Sequence, residues 1–324
     1  MTDAAPRIEA TQSVAEAQAA LASPRDYLQL LKPRVMSLVI FTALAGMVCA
    51  RGNVGWLTGS ISILCIAIGA GASGALNMAY EADLDARMKR TKRRPTVTGL
   101  VAPAEAAAFG MVLSLFAVAM LGFATNWTAA ALLAGTIAFY AIVYTRWLKR
   151  WTPQNIVIGG AAGALPPVVG WAAASGHAPL NAWLLFLIIF LWTPPHFWAL
   201  GLYTREDYAR AGVPMMPVVK GAKSTRRQIL AYSLLLAPAG VLPAFTGLGG
   251  PIYLAVSAAG GLLMVALAVR LAFSSAGEGL VDQATGLYTP GPEAKPARDV
   301  FAVSIGYLFI LFATLLVEQL AFHS

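Results

Sequence analysis

Between Asn77 and Pro95 the chain packs an amide, three carboxylates and six basic side chains into nineteen residues, at the end of a long apolar run. Ionised groups at a membrane boundary are costly unless they bind something. Carboxylates for a hard cation, with Lys and Arg for phosphate oxygens, are the set that a Mg²⁺-bridged phosphate ester requires. On a continuing helix Asn77, Glu81 and Asp85 fall at i, i+4 and i+8. They then spread over roughly 80° of the wheel with about 6 Å of rise between neighbours. One face presents an amide oxygen and two carboxylates in line, able to hold one or two cations that bridge a diphosphate. Asp83 points off that face and ranks below the other two. The competing reading is a solvated helix end in which Glu81, Asp83 and Asp85 pair with Arg87, Lys89 and Arg90. Asn77, one turn deeper in apolar sequence, does not fit that account.

Two further polar segments stand out. The first runs Thr193-Pro194-Pro195-His196-Phe197-Trp198, then through Glu206-Asp207 to Lys220-Gly221. Paired prolines predict a break or kink just ahead of His196. A histidine there can be a metal ligand, a proton carrier or a hydrogen-bonded spacer. Glu206 and Asp207 are candidates for a second acidic site opposite the first, and Arg205, Arg210 and Lys220 for phosphate contacts. The other segment begins Tyr144-Thr145-Arg146-Trp147-Leu148-Lys149-Arg150-Trp151 and leads through Gly159-Gly160 to Pro166-Pro167. Its cations are read as interfacial, with the tryptophans as anchors. Its small residues predict close helix approach, as does Gly69-Ala70-Gly71-Ala72-Ser73-Gly74. The two proline pairs together suggest a cavity between spans five and six.

These segments must be positioned by membrane helices. The chain is 58% hydrophobic and 12% charged, about half the charged fraction of a soluble domain. Windows of roughly 18–25 apolar residues predict nine spans, near 35–51, 57–79, 101–123, 127–145, 155–174, 180–201, 228–247, 251–272 and 300–321. Frequent glycine and proline inside them favour an all-α helical bundle over a β-barrel. Alternating the loops between two sides puts 22 of the 23 Lys and Arg residues on one side, with Arg51 alone on the other. The positive-inside rule makes that side cytoplasmic, with the N-terminus inside and the C-terminus outside. The net charge of +8 then reflects topology and anionic lipid, not nucleic acid. Residues 1–27 read as a mobile polar tail without a signal peptide, and residues 28–324 as one transmembrane domain. Tyr27 to Arg34 reads as an interfacial approach to the first span, with Pro33 at its start. Cys49 and Cys65 lie in apolar spans without metal spacing, and 273–298 as a flexible connection.

With these residues in view, the chain resembles the UbiA-type intramembrane prenyltransferases, and within them the protohaem IX farnesyltransferase (haem O synthase) branch. The likeness runs from about residue 27 to the end and is carried by Lys32-Pro33-Arg34, the Asn77-to-Pro95 block, Tyr144 to Pro167, and Pro194 to Gly221. Its specific parts are Glu81-Ala82-Asp83-Leu84-Asp85 followed by Met88-Lys89-Arg90-Thr91, and Pro195-His196-Phe197-Trp198. Both acidic motifs depart from the general superfamily pattern: Met78 and Glu81 stand where aspartates are common, and Ala211 follows Asp207 where a second aspartate is usual.

The resemblance implies transfer of farnesyl from farnesyl diphosphate to a vinyl group of protohaem, with haem as substrate and not as resident cofactor. It implies Mg²⁺ held by Asn77, Glu81 and Asp85, with Asp83 nearby. Arg87, Arg94, Arg146, Lys149 and Lys220 are the implied diphosphate contacts, and Tyr144, Phe197 and Trp198 the rings that shield an allylic cation. Asp207 joins the substrate-binding set, and His196 binds haem iron or assists water. The implied setting is a bacterial cytoplasmic (inner) membrane, with membrane lipid and a downstream haem-modifying enzyme as partners. An aromatic quinone precursor as acceptor, or an ion-coupled transporter, are the alternatives.

Overall fold

A computed structural model describes residues 22–52, 54–279 and 289–322. The expected tail lies mostly, and His323 and the middle of the 273–298 connection lie entirely, outside the described residues. The described chain is helical, without strands. Helix α1 (Pro24–Leu30) leads into α2 (Pro33–Cys49), then α3 (Trp56–Tyr80) and the short α4 (Ala82–Asp85). Next come α5 (Pro103–Ala124), α6 (Trp127–Ala138) and a π-helical stretch, Phe139–Leu148. They are followed by α7 (Asn155–Ala164), α8 (Pro166–Ser175) and α9 (Leu180–Arg210). Helices α10 (Gly221–Phe245), α11 (Pro251–Ala272) and α12 (Lys295–Phe322) complete the bundle. Among the described residues eight helical segments are long and apolar enough to cross a membrane, and the bent α1–α2 pair makes a ninth. The chain is a multi-pass membrane protein.

Small residues set how closely the helices approach. A Cβ on Gly46 of α2 would sit 2.1 Å from Pro167 O of α8, and one on Gly170 of α8 would sit 2.1 Å from Ala43 O of α2. The two helices therefore meet backbone to backbone at two points, which no larger side chain permits. On α3, Gly71 and Gly74 face Leu30, Leu31 and Lys32. The turn between α1 and α2, bent by 58°, thus presses directly onto α3. At that turn Lys32 is held at φ 52°, ψ 58°, left-handed backbone that a lysine occupies only when its surroundings impose it.

The two proline pairs behave differently. Pro166 starts a new helix at α8, so span five is interrupted at Leu165. Pro194 and Pro195 lie inside α9, which runs for 31 residues without interruption, so of the expected break or kink ahead of His196 the break is corrected. Apolar surroundings favour retaining every intrahelical hydrogen bond that remains; α12 pins this stretch where Trp192 Nε1 donates to Ser304 O, and Thr193 Oγ1 donates to Ile189 O one turn back on α9 itself. Beside these prolines spans five and six touch. A Cβ on Gly160 would meet Thr193 Cγ2 at 2.8 Å, so α7 and α9 are in close contact beside the prolines. His196 instead turns toward α12.

Candidate active site

Helix α3 ends at Tyr80, and Glu81 leaves helical geometry at φ −106°, ψ 12°. The turns nonetheless continue, because Glu81 N bonds Asn77 O at 3.0 Å and Asp85 N bonds Glu81 O at 2.8 Å. Asn77, Glu81 and Asp85 stay on one face, all buried, with exposures of 3, 1 and 2%. Burying two carboxylates in a membrane bundle requires partners, and each member of the column has a cation. Lys32 Nζ donates to Asn77 Oδ1 at 2.7 Å, Lys149 Nζ to Glu81 Oε2 at 2.5 Å, and Arg94 Nη1 to Asp85 Oδ2 at 2.5 Å. None of the three belongs to the Arg87–Lys89–Arg90 run that a solvated helix end would use. Asp83 is exposed and pairs with Arg150 at 2.9 Å, outside the column.

These cations arrive from three places. Lys32 comes from the strained turn before α2. Arg94 comes back from the end of its own loop, with Thr91 Oγ1 bonded to Asp85 O at 2.9 Å holding that loop against α4. Lys149 is delivered by the π-helix. Its wider turns place Thr145 Oγ1 2.8 Å from Tyr140 O, five residues back, and the Thr145 hydroxyl then accepts from Asn77 Nδ2 at 3.2 Å. Short π segments recur at functional sites because they re-aim side chains. Tyr140, Tyr144 and Tyr208 surround Glu81 closely enough to interact with it electrostatically. The Tyr144 ring fills the space above Gly159, where an added Cβ would lie 2.1 Å from Cδ2.

The remaining candidates divide. Asp207 is half-buried beside Tyr208, which interacts with both Asp207 and Glu81, so this end of α9 faces the column. Glu206 lies 4.0 Å from Arg210 on the same helix, and Arg205 donates to Gly277 O at 2.8 Å. Arg87, Arg146 and Lys220 are exposed, and no contact among the described residues joins them to the column. Phe197 meets the edge of the His196 ring at 5.1 Å. Trp198 is fully buried on another face of α9, against Tyr232 of α10, and serves the core. Sequence reasoning overlooked Lys32 and Tyr208 as site residues. The odd placement of Lys32 directly before Pro33 was the available signal for the first.

One atom of the column is unsatisfied: Glu81 Oε1 is buried with no hydrogen-bond partner. A bare carboxylate oxygen between an amide oxygen and a second carboxylate fits a hard divalent cation. Among the described residues no three His, Cys, Asp or Glu side chains converge on one point. Asn77, Glu81 and Asp85 would therefore leave coordination positions for phosphate and water, as Mg²⁺ prefers.

Comparison with known proteins agrees with this architecture. The chain is 61% identical to a protoheme IX farnesyltransferase of Caulobacter sp. (strain K31), covering 97% of this chain and 93% of that one. It is 56% identical to the protein of the same name from Maricaulis maris (strain MCS10), over 92% and 90% of the two chains. A solved digeranylgeranylglyceryl phosphate synthase shares the fold with TM-score 0.72 at 16% identity, over 91% of this chain and 98% of that one. A UbiA homolog from Archaeoglobus fulgidus, solved with GPP and Mg²⁺, superposes with TM-score 0.57 at 18% identity, over 89% and 99%. The model of the UbiA prenyltransferase family matches residues 39–278, and the chain belongs to that family.

Proposed function

We propose that this protein transfers the farnesyl group of farnesyl diphosphate to a vinyl group of protohaem IX, giving a hydroxyethylfarnesyl haem. The observation that carries the reading is the buried Asn77–Glu81–Asp85 column with one cation on each member and one carboxylate oxygen left bare. The names of the relatives at 56–61% identity support haem as the acceptor.

In the reaction the allylic C–O bond breaks and its electron pair leaves with the diphosphate. The vinyl carbon attacks C1 of the farnesyl cation, and water adds to the adjacent carbon, losing a proton to complete the hydroxyethyl group. Mg²⁺ held by Asn77, Glu81 and Asp85 would supply Lewis-acid stabilisation to the diphosphate oxygens as their charge grows. Lys32, Lys149 and Arg94 already lie on the column, so a diphosphate arriving there meets three preorganised cations instead of recruiting them from water. Each can exchange its carboxylate or amide partner for a phosphate oxygen without crossing the site. The Tyr140 and Tyr144 rings, tilted against each other at 5.3 Å and within electrostatic reach of Glu81, would supply the π faces that shield the cation. The apolar tail has the bilayer beside it. The bias of basic residues supports a mouth on the cytoplasmic side, and the bacterial inner membrane is the setting that goes with this reading.

Purified protein assayed with farnesyl diphosphate, Mg²⁺ and either haem or 4-hydroxybenzoate tests the reading by product mass. A farnesylated, hydrated haem is expected. Prenylated 4-hydroxybenzoate alone would move the acceptor to a quinone precursor, and no product with either acceptor would overturn the proposal.

A further inference from the structure

The diphosphate site makes no use of His196, yet this histidine is held on both ring faces and at Nδ1. Trp192 stacks on one face of its ring with centroids 4.3 Å apart, and Phe301 of α12 on the other at 4.6 Å. Its Nδ1 lies 2.8 Å from Ser304 Oγ. A serine hydroxyl has one proton to give. Ser304 Oγ directs that proton to Phe301 O at 2.7 Å. Toward His196 the hydroxyl is therefore an acceptor, and the hydrogen belongs to the histidine Nδ1. In a neutral imidazole the other nitrogen is then a bare lone pair. No hydrogen bond reaches Nε2 among the described residues, although the side chain is only 8% exposed. Ser304 also takes the Trp192 Nε1 hydrogen on its carbonyl at 2.7 Å, so one residue orients the histidine and the ring stacked on it.

A histidine buried only for packing satisfies both nitrogens. One whose Nδ1–H is donated to the protein while Nε2 stays open has the arrangement of a metal-ligating histidine, in which the donated bond fixes tautomer and ring angle. Imidazole is the common protein ligand of haem iron. We propose that Ser304 is a positioning residue: its hydroxyl locks His196 in the Nδ1–H tautomer so that Nε2 ligates the iron of the haem substrate. This rests on haem being the acceptor.

The chain has three histidines, so ¹⁵N-histidine labelling in lipid nanodiscs gives a spectrum that can be assigned by substitution. Without substrate, wild type should show an Nδ1–H histidine signal that is lost in His196→Gln, beside the one expected of His177, whose Nδ1 lies 2.9 Å from Ser175 O and which that variant keeps. Ser304→Ala should convert the His196 signal to the Nε2–H form or a mixture, and Ser304→Thr, which keeps a hydroxyl, should preserve it. The other histidine signals report whether each variant is folded. Titrated with ferric haem, wild type and Ser304→Thr should give the absorption spectrum of a histidine-ligated iron. Ser304→Ala should bind about tenfold more weakly, the usual scale for losing such a supporting bond. An unchanged tautomer in Ser304→Ala overturns the positioning role. A changed tautomer with unchanged haem spectrum and affinity overturns iron ligation. No haem-dependent spectrum in wild type removes the acceptor reading itself, while the tautomer result stands apart from it.

Discussion

Replacing Glu81 with glutamine separates the chemistry of the column from its contribution to folding. The change keeps shape and removes one charge, leaving Lys149 without its partner. The Glu81 side chain is 1% exposed and that of Lys149 19%. Breaking a fully buried pair costs about 3–5 kcal/mol, and an exposed pair contributes about 0–1 kcal/mol. Lys149 can turn toward the membrane surface, so the stability loss should fall between these limits, at about 1–3 kcal/mol. The catalytic loss should be larger. Removing one preorganised electrostatic group from a site where charge develops lowers rates by about 10²–10³, and Glu81 also owns the bare oxygen assigned to the cation. Pyrophosphate release at varied Mg²⁺, with thermal unfolding in the same detergent, reads both effects. The double variant Glu81→Gln/Lys149→Met isolates the folding term and is read for stability alone, because Lys149 is itself a diphosphate contact: if the stability loss of Glu81→Gln comes from the unpaired Lys149, removing both charges restores the thermal midpoint. A kcat/KM for Glu81→Gln within threefold of wild type, with unchanged Mg²⁺ dependence, would refute the assignment.

Asp83→Asn should leave turnover within about threefold of wild type and stability within ~0.5 kcal/mol, since its bond to Arg150 joins two exposed side chains; a large rate loss would return Asp83 to the metal set. Lys32→Met should raise KM for farnesyl diphosphate by about tenfold or more, the scale of one charge-assisted hydrogen bond of ~1.5–3 kcal/mol, and an unaltered KM would remove Lys32 from the diphosphate contacts. Gly46→Ala should lower the thermal midpoint through an overpacking cost of about 1–3 kcal/mol, because its Cβ would meet Pro167 O at 2.1 Å. A midpoint equal to wild type would show that α2 and α8 do not pack as described.

The spans were legible because bilayer thickness and the cost of bare backbone polar groups leave a helix few alternatives. Eight expected spans overlap single helical segments, and the first falls on the bent pair. The spacing of Asn77, Glu81 and Asp85 was equally legible, since helical period depends only on local geometry. The Pro194-Pro195 pair does not end its helix, for a related reason. A proline removes one donor locally, while the decision to break belongs to the packing around Trp192, Thr193 and His196.

By itself, then, the sequence determined a polytopic helical protein, the acidic face at the end of its second span, and the likeness to UbiA-type prenyltransferases. Those follow from composition, period and local spelling. Tertiary structure alone decided which cations serve that face. Lys32 reaches it only because Gly71 and Gly74 admit the α1–α2 turn, Lys149 only because a π-helix re-aims it, and Arg94 only because its loop folds back on α4. It likewise decided that His196 answers to Ser304, 108 residues away, instead of to its own prolines. Contacts between distant segments depend on helix packing as a whole, and no local pattern in the chain encodes them.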